Sequence, residues 1–295
     1  MEIRFGVNPI AWSNDDLLWL GGETPLETCL TDTAELGFDG IELGNKFPRN
    51  ATELRPILDQ YGLALIGGWY SGNILQDDAE SEIASLQDHL ALLKALHCEV
   101  FIYAECSNTI HSDIDKGMQD KPVLNDETWP LFGQRLSEVA DYIRKQGLRF
   151  AYHHHTGTVV ETASELRRFF AETSNSVGIV LDTGHAYVGA IDPVEIVFAF
   201  PQRVAHVHYK DVRPAVLADI RAKNASFLTG VIEGMFTVPG DGVISFDPVT
   251  SALNEIGYRG WVVVEAEQDP GKADPRQYAE AGLAALRASV RAVSQ

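Results

Sequence analysis

Strand-like and helix-like segments take turns along the whole chain, eight of each in 295 residues. The strand-like segments are 3–7, 40–44, 63–69, 100–105, 151–155, 179–182, 204–211 and 261–267, and most are apolar nearly throughout. Strands of that kind belong in a parallel sheet covered on both faces. The helix-like segments are 25–36, 51–61, 78–96, 129–146, 164–173, 193–200, 246–255 and 275–293. They gather apolar residues on one face, as Ile83, Leu86, Leu90 and Leu93 show. Gly37, Gly62, Gly147 and Gly257 each fall just after a helix, where a left-handed cap is favoured. Eight such units predict an α/β fold, the (β/α)8 TIM barrel, rather than an open doubly wound sheet. No Gly-rich phosphate loop follows the first strand, which weakens the open sheet further. No Pro/Ser/Gly-rich linker divides the chain, so residues 1–295 are expected to form one domain.

Three strand-to-helix connections are long, 8–24, 106–128 and 211–245. In a barrel they lie at the C-terminal ends of the strands, where active sites are built. The third contains Phe236-Thr-Val-Pro-Gly-Asp-Gly242, a turn-rich stretch able to fold over that face. The net charge of −19 repels nucleic acid phosphates and anionic membranes, so neither is expected as a partner. An uncharged or cationic small ligand suits that balance, and the composition allows a homo-oligomer. Cys29, Cys98 and Cys106 form no CxxC pair and read as small buried hydrophobes without disulfides. The first residues carry no secretory pattern, and no run approaches the ~18 apolar residues of a membrane span. A cytoplasmic protein is expected.

Four consecutive strand-like segments end in metal-ligand chemistry: Ala151-Tyr-His-His-His155, Ile179-Val-Leu-Asp-Thr-Gly-His185, Val204-Ala-His-Val-His-Tyr-Lys-Asp211 and Trp261-Val-Val-Val-Glu-Ala-Glu267. Side chains alternate along a strand, so His153 shares a face with His155 while His154 points away. His206, His208 and Lys210 share a face, as do Glu265 and Glu267; Asp182 ends its strand, and His185 falls in the turn beyond. On a barrel these ends meet in one ring, and buried ionisable groups converging without a metal or mutual pairing would be costly. Mixed oxygen and imidazole donors suit Mn²⁺, Co²⁺, Fe²⁺ or Zn²⁺. Glu42 and Glu105 read equally as substrate contacts or as caps. His89, His97 and His111 fall on helical or loop segments and read as structural or solvent-exposed.

These motifs resemble the xylose isomerase-like barrels of the sugar isomerase/epimerase superfamily. Leu181-Asp-Thr-Gly-His185, His206-Val-His-Tyr-Lys-Asp211 and Val263-Val-Glu265 are similar to its sixth-, seventh- and eighth-strand signatures. Phe5-Gly-Val-Asn-Pro-Ile-Ala-Trp12, Gly40-Ile-Glu-Leu-Gly-Asn-Lys46, Tyr152-His-His-His155, Gly234–Gly242 and Val264–Pro270 resemble its branch that dehydrates inososes in inositol catabolism. The resemblance implies a divalent ion, Mn²⁺ or Co²⁺ foremost, on Asp182, His208 and Glu265. The glutamate usual at the fifth strand is replaced by the histidine run, leaving His153 and His155 as rival fourth ligands. That removes a carboxylate which isomerases and epimerases use as a base. The implied reaction is loss of water from a small cyclic polyol ketone, 2-keto-myo-inositol, to a trihydroxycyclohexane-1,2-dione. Candidate catalytic groups are Lys210, Glu265, Glu267 and His185, with Asn8, Trp12, Glu42, Lys46, Trp69, Glu105, His206 and Asp211 assigned to substrate. The rivals are a sugar isomerase or epimerase, a metal-dependent DNA repair endonuclease, which the charge disfavours, and a non-catalytic ligand-binding barrel.

Overall fold

Residues 2–293 are described by a computed structural model. The strands are β1 Ile3–Val7, β2 Gly40–Leu43, β3 Ala64–Gly72, β4 Val100–Glu105, β5 Arg149–His153, β6 Val177–Asp182, β7 Val204–Tyr209, β8 Asp211–Val212, β9 Phe236–Thr237 and β10 Gly260–Val264. The helices are α1 Leu26–Leu36, α2 Ala51–Tyr61, α3 Ala79–Ser85, α4 Gln87–Ala95, α5 Thr128–Lys145, α6 Ala163–Glu172, α7 Thr183–Val188, α8 Pro193–Ala199, α9 Pro214–Ala222, α10 Phe227–Ile232, α11 Phe246–Glu255 and α12 Pro275–Val293. Strands β1 to β7 and β10 close a barrel in which every neighbouring pair is parallel. The expected eight βα units are therefore present.

The helices bury their apolar faces against the outside of the barrel, in a core that runs from Val7 to Leu286. Two small apolar clusters, Val100–Ile102–Ala151–Val180–Ala205 and Ile66–Trp261–Val263, pack separately from it. Gly37, Gly62, Gly147 and Gly257 all take positive φ, as expected of residues that end helices. The segment 78–96 forms two helices rather than one: at buried Leu86 ψ opens to −3°, between α3 and α4.

The connection 211–245 carries more structure than its turn signals indicate. It folds into α9, α10 and an antiparallel β8–β9 ribbon. Its residues Val212, Leu217, Ile220, Phe227, Leu228, Val231, Met235 and Phe236 form a second core with Leu17, Leu20, Met118 and Val188 from other connections. The Pro-Gly-Asp-Gly stretch is pinned by buried Asp211. Its Oδ2 accepts from the amides of Gly240 (3.1 Å) and Gly242 (3.0 Å), and its Oδ1 from Val212 (2.8 Å) and Ile244 (2.9 Å). A Cβ on Gly242 would meet Asp211 Oδ1 at 2.3 Å, so only glycine permits this wrap.

We expect Asp211→Ala to cost at least about 3 kcal/mol: a bond to a charged acceptor contributes roughly 1.5–3 kcal/mol, four amides lose theirs, and those that reach water recover part of the loss. Chemical denaturation measures the loss, and hydrogen exchange should localise faster opening to the amides of residues 240–244. Unchanged exchange there would contradict the pinning role.

Candidate active site

Strand ends β5, β6, β7 and the residue after β10 bring His153, Asp182, His208 and Glu265 together, one donor atom from each within 4.8 Å of the others. All four are buried. Asp182 and His208 are directly paired across β6 and β7, and His208 faces Val263 across β10. His153 Nε2 and His208 Nδ1 lie 3.8 and 3.6 Å from Asp182 Oδ2.

The lone pairs are set by what the other ring nitrogens do. His153 Nδ1–H donates to the His154 carbonyl (2.8 Å), which leaves Nε2 as an acceptor facing Asp182. His208 Nε2–H donates to Glu42 Oε1 (3.0 Å), which leaves Nδ1 as an acceptor facing Asp182 and Glu265. His208 Nδ1 sits only 2.7 Å from Glu265 Oε2, yet it has no hydrogen bond of acceptable direction; Asp182 Oδ2 also has none. Two buried acceptors turned toward a shared point fit a divalent cation with two imidazoles and two carboxylates. The electrostatics favour a cation at that point: burial disfavours a charged His208, but Glu42, Glu265 and Asp182 outweigh it and raise its pKa well above the usual value, so an ion bound there would displace the proton from Nδ1.

Behind the ring, Glu42 accepts from His206 Nε2 (2.7 Å), His208 Nε2 and Asn8 Nδ2 (2.7 Å). Burial alone would raise its pKa; the two histidines bring it down to about 2. A carboxylate that orients a ligating imidazole tunes its basicity.

Beside the ring lies Lys210, fully buried at the end of β7. Its Nζ is 2.6 Å from Glu265 Oε1, 2.6 Å from Glu267 Oε1 and 2.9 Å from His185 Nε2. Burial lowers its pKa, but Asp182, Glu265 and Glu267 prevail and raise it, so it remains an ammonium. All three N–H donors are then spent, and none is left for a substrate. On the far side of the His185 ring, Nδ1 accepts from the Thr156 amide at 3.3 Å and lies 3.0 Å from Thr156 Oγ1. Burial pushes Glu267 up to about 7 despite Lys210. Phe236 covers the ammonium at 4.8 Å, and Phe227 packs on His155 at 5.0 Å.

A cavity of about 380 Å³ opens onto the ring, within the usual range of small-molecule sites. Among the expected residues, Asn8, Glu42, Trp69, His153, His155, His208, Glu265 and Glu267 line it. Several others do not. Trp12 is buried with its indole N–H on Asp32 (2.9 Å), and exposed Lys46 bonds the Gly22 carbonyl; both border a separate, smaller crevice. Glu105 accepts from the amides of Ile74 (2.9 Å) and Ser107 (3.0 Å), so it ties two connections together. His206 stands behind Glu42, Asp211 wraps its own connection, and His185 and Lys210 are enclosed by their partners. His185 lies on the short helix α7 rather than in a turn, because Asp182 caps it through Oδ1 (2.8 Å).

His155 also departs from expectation. Strand β5 ends at His153, so the alternation that would align the two histidines stops. His155 groups instead with His185 and Glu267, its ring 3.8 Å from that of His185. Other lining residues were not among the expected site residues: Asp15 and Asp16, the latter pushed up to about 6 by burial and by Asp15, and Cys106, Asn108, Thr109, His111 and Ser112. Their common signal was membership of the long first and fourth connections. His111 is buried, not exposed, and Cys106 is half-buried. No described helix is long and apolar enough to cross a membrane.

A closed eight-stranded barrel with this ring at its C-terminal rim matches the family described as xylose isomerase-like TIM barrel, over residues 30–289. The chain belongs to that family. It is 39% identical to the inosose dehydratase of Erwinia tasmaniensis over 281 residues, which cover 94% of each chain. It is 42% identical to the rhizopine catabolism protein MocC of Rhizobium meliloti over 282 residues, 96% of this chain and 87% of that protein. The fold is also that of the IOLI protein solved with a zinc atom, at a TM-score of 0.71 and 16% identity over 98% of both chains.

If the four-residue ring holds the ion, His153→Ala should weaken divalent metal binding about 10–100-fold, while His155→Ala leaves it within a factor of about 3. Competitive titration with a metal-sensitive dye measures both. Equal losses would place the ion elsewhere.

Proposed function

We propose that this protein, a hydro-lyase by its kinship with the inosose dehydratases, is a cytoplasmic enzyme that removes water from 2-keto-myo-inositol to give a trihydroxycyclohexane-1,2-dione. The ion would be Mn²⁺ or Co²⁺, held by His153, Asp182, His208 and Glu265. The observation that carries the reading is Glu267. It is a cavity-facing carboxyl next to the ligand ring, with one oxygen fixed 2.6 Å from a buried ammonium and a proton affinity near neutrality.

Loss of water from a β-hydroxy ketone breaks a C–H bond next to the carbonyl and a C–O bond one carbon further, and a C=C bond forms between them; because the carbon that loses its proton carries a hydroxyl, this alkene is an enol whose ketonisation gives the dione. A divalent ion in the ring would supply a Lewis acid that acidifies that C–H bond. Glu267 is placed to take the proton from carbon through its Oε2, because Oε1 is held by Lys210. Protonated Glu267 then gives that proton to the departing hydroxyl, which leaves as water. Lys210 acts as a positioning residue: one ammonium fixes Glu265 in the ring and Glu267 at the cavity wall. His185 holds Lys210 from the far side, and its own Nδ1 is anchored on Thr156. With Phe227 and Phe236 over them, these charges act where water does not compete.

Two other readings remain in the same test. An isomerase or epimerase on this scaffold would turn over the ketone without loss of water; the histidine at the fifth strand end disfavours it by removing a carboxylate. The similarity to MocC favours a role in rhizopine catabolism, so rhizopine-derived polyols belong among the substrates tried. Protein stripped with chelator and reloaded with Mn²⁺ or Co²⁺ should convert 2-keto-myo-inositol to a product with dione absorbance. No product with any metal would overturn the proposal. Glu267→Gln should lower kcat by about 10²–10⁴-fold with metal content unchanged, the usual contribution of a proton-transfer group. Full activity of that variant would remove Glu267 from the role.

A further inference from the structure

The wall of the cavity away from Lys210 contains a histidine that the reaction above does not use. His111 comes from the long connection between β4 and α5 and is only 6% exposed. It lines the cavity, and neither ring nitrogen bonds to another described residue; Nδ1 is fully enclosed without a partner. Nε2, by contrast, is not enclosed, so it is the ring nitrogen that a ligand in the cavity can reach, and an unpartnered imidazole at a cavity wall needs an explanation.

Its surroundings supply one. His111 packs against Trp69 at 5.9 Å and against His155 at 5.2 Å, and Trp69 meets His155 edge-on at 5.5 Å. Trp69 also touches His153 at 5.3 Å, so the wall begins where the ligand ring ends. His155 donates Nδ1–H to the Thr156 carbonyl (2.7 Å), which leaves Nε2 as a cavity-facing acceptor. Burial pushes His111 down to about 4, so its ring is neutral near pH 7. Each imidazole can serve a hydroxyl, and the flat indole between them suits the C–H face of a saturated ring. The placement is built in. Ile110 N–H donates to the Gly157 carbonyl (3.0 Å), and a Cβ on Gly157 (φ +83°) would come within 3.1 Å of the His111 backbone nitrogen.

We infer that His111, Trp69 and His155 form a second half of the substrate site, remote from the reacting carbons, where the two imidazoles read ring hydroxyls and Trp69 supports the ring's apolar face. His111 is then a specificity-determining residue. This inference rests on the polyol-ketone reading, and its test separates the two. The probes are scyllo-inositol, a cyclic polyol with no ketone to dehydrate, and 2-keto-myo-inositol, each with metal-loaded protein. Calorimetry gives the scyllo-inositol Kd, and steady-state kinetics give KM and kcat for the ketone.

His111→Phe should raise both Kd and KM by about 10-fold or more, the effect of one lost hydrogen bond. We expect kcat to change by less than about 3-fold and metal content to be unchanged. His111→Gln keeps a donor and an acceptor and should recover most of the affinity, which a purely structural role would not explain. If His111→Phe folds poorly, the glutamine variant with a deoxy analogue of the ketone reads the same hydrogen bond from the substrate side. Dehydration with a KM indifferent to either variant overturns the wall and leaves the dehydratase standing. His111-dependent binding of scyllo-inositol without dehydration overturns the dehydratase and leaves the wall. Binding of neither probe by the native protein overturns both.

Discussion

A primary ammonium sealed from water organises the active end of this barrel. Lys210 Nζ divides its three donors among Glu265, Glu267 and His185, with Asp182 at 3.5 Å. Burying such an ion is worthwhile only when every donor is met, and removing it would leave three carboxylates uncompensated in a dry interior. The surrounding backbone is shaped to it. A Cβ on Gly184 would meet the Lys210 stem at 2.6 Å, so the first turn of α7 can close only over a glycine. Thr183 Oγ1 donates to the Lys210 carbonyl at 2.7 Å and ties the same turn to β7.

Around that charge the imidazoles are sorted by very local rules. His153 and His155 each give Nδ1–H to the carbonyl of the next residue, so the chain's own course past β5 sets both tautomers. The exposed lone pairs then diverge: that of His153 joins Asp182, and that of His155 faces the cavity. His208 is set instead by a carboxylate from across the barrel, Glu42. Three histidines with near-identical chemistry thus take three surroundings, decided by which hydrogen bond the second nitrogen makes.

Much of this was legible in the sequence. The strand periodicity carries the barrel, and strand ends on a barrel must converge, which gathers His153, His155, Asp182, His208 and Glu265; the family resemblance singles out Asp182, His208 and Glu265 and leaves His153 and His155 as rivals. What was not legible depended on where strands stop and connections turn. The pairing of His153 with His155 assumes extended chain through residue 155, and β5 ends at His153. His185 reads as a turn residue because α7 has only six residues and starts on a cap that is also a candidate ligand. Trp12 and Lys46 sit in motif-like segments, yet their side chains turn to Asp32 and to the Gly22 carbonyl. His111 carries no periodic signal, because a connection has none. Phe227 and Phe236 look like ordinary apolar residues until α10 and β9 lay them over the polar cluster.

The cover is not an extension of the barrel's core. Leu17 and Leu20 from the first connection, Met118 from the fourth, Val188 from α7 and residues of 212–236 pack together as a cluster of their own. Met118 N–H donates to the Ala225 carbonyl at 3.1 Å, which stitches the fourth connection to the seventh. Ligand-ring residues are therefore fixed by strand pairing, whereas His111, Phe227 and Phe236 are fixed by the packing of connections on one another. The two sets respond to different substitutions. Changes in the upper cluster can move the cavity wall and the seal over Lys210 while the registers of β5, β6, β7 and β10 hold His153, Asp182, His208 and Glu265 in place. A barrel of this kind can therefore vary its cavity wall without rebuilding the four-residue ring at its strand ends.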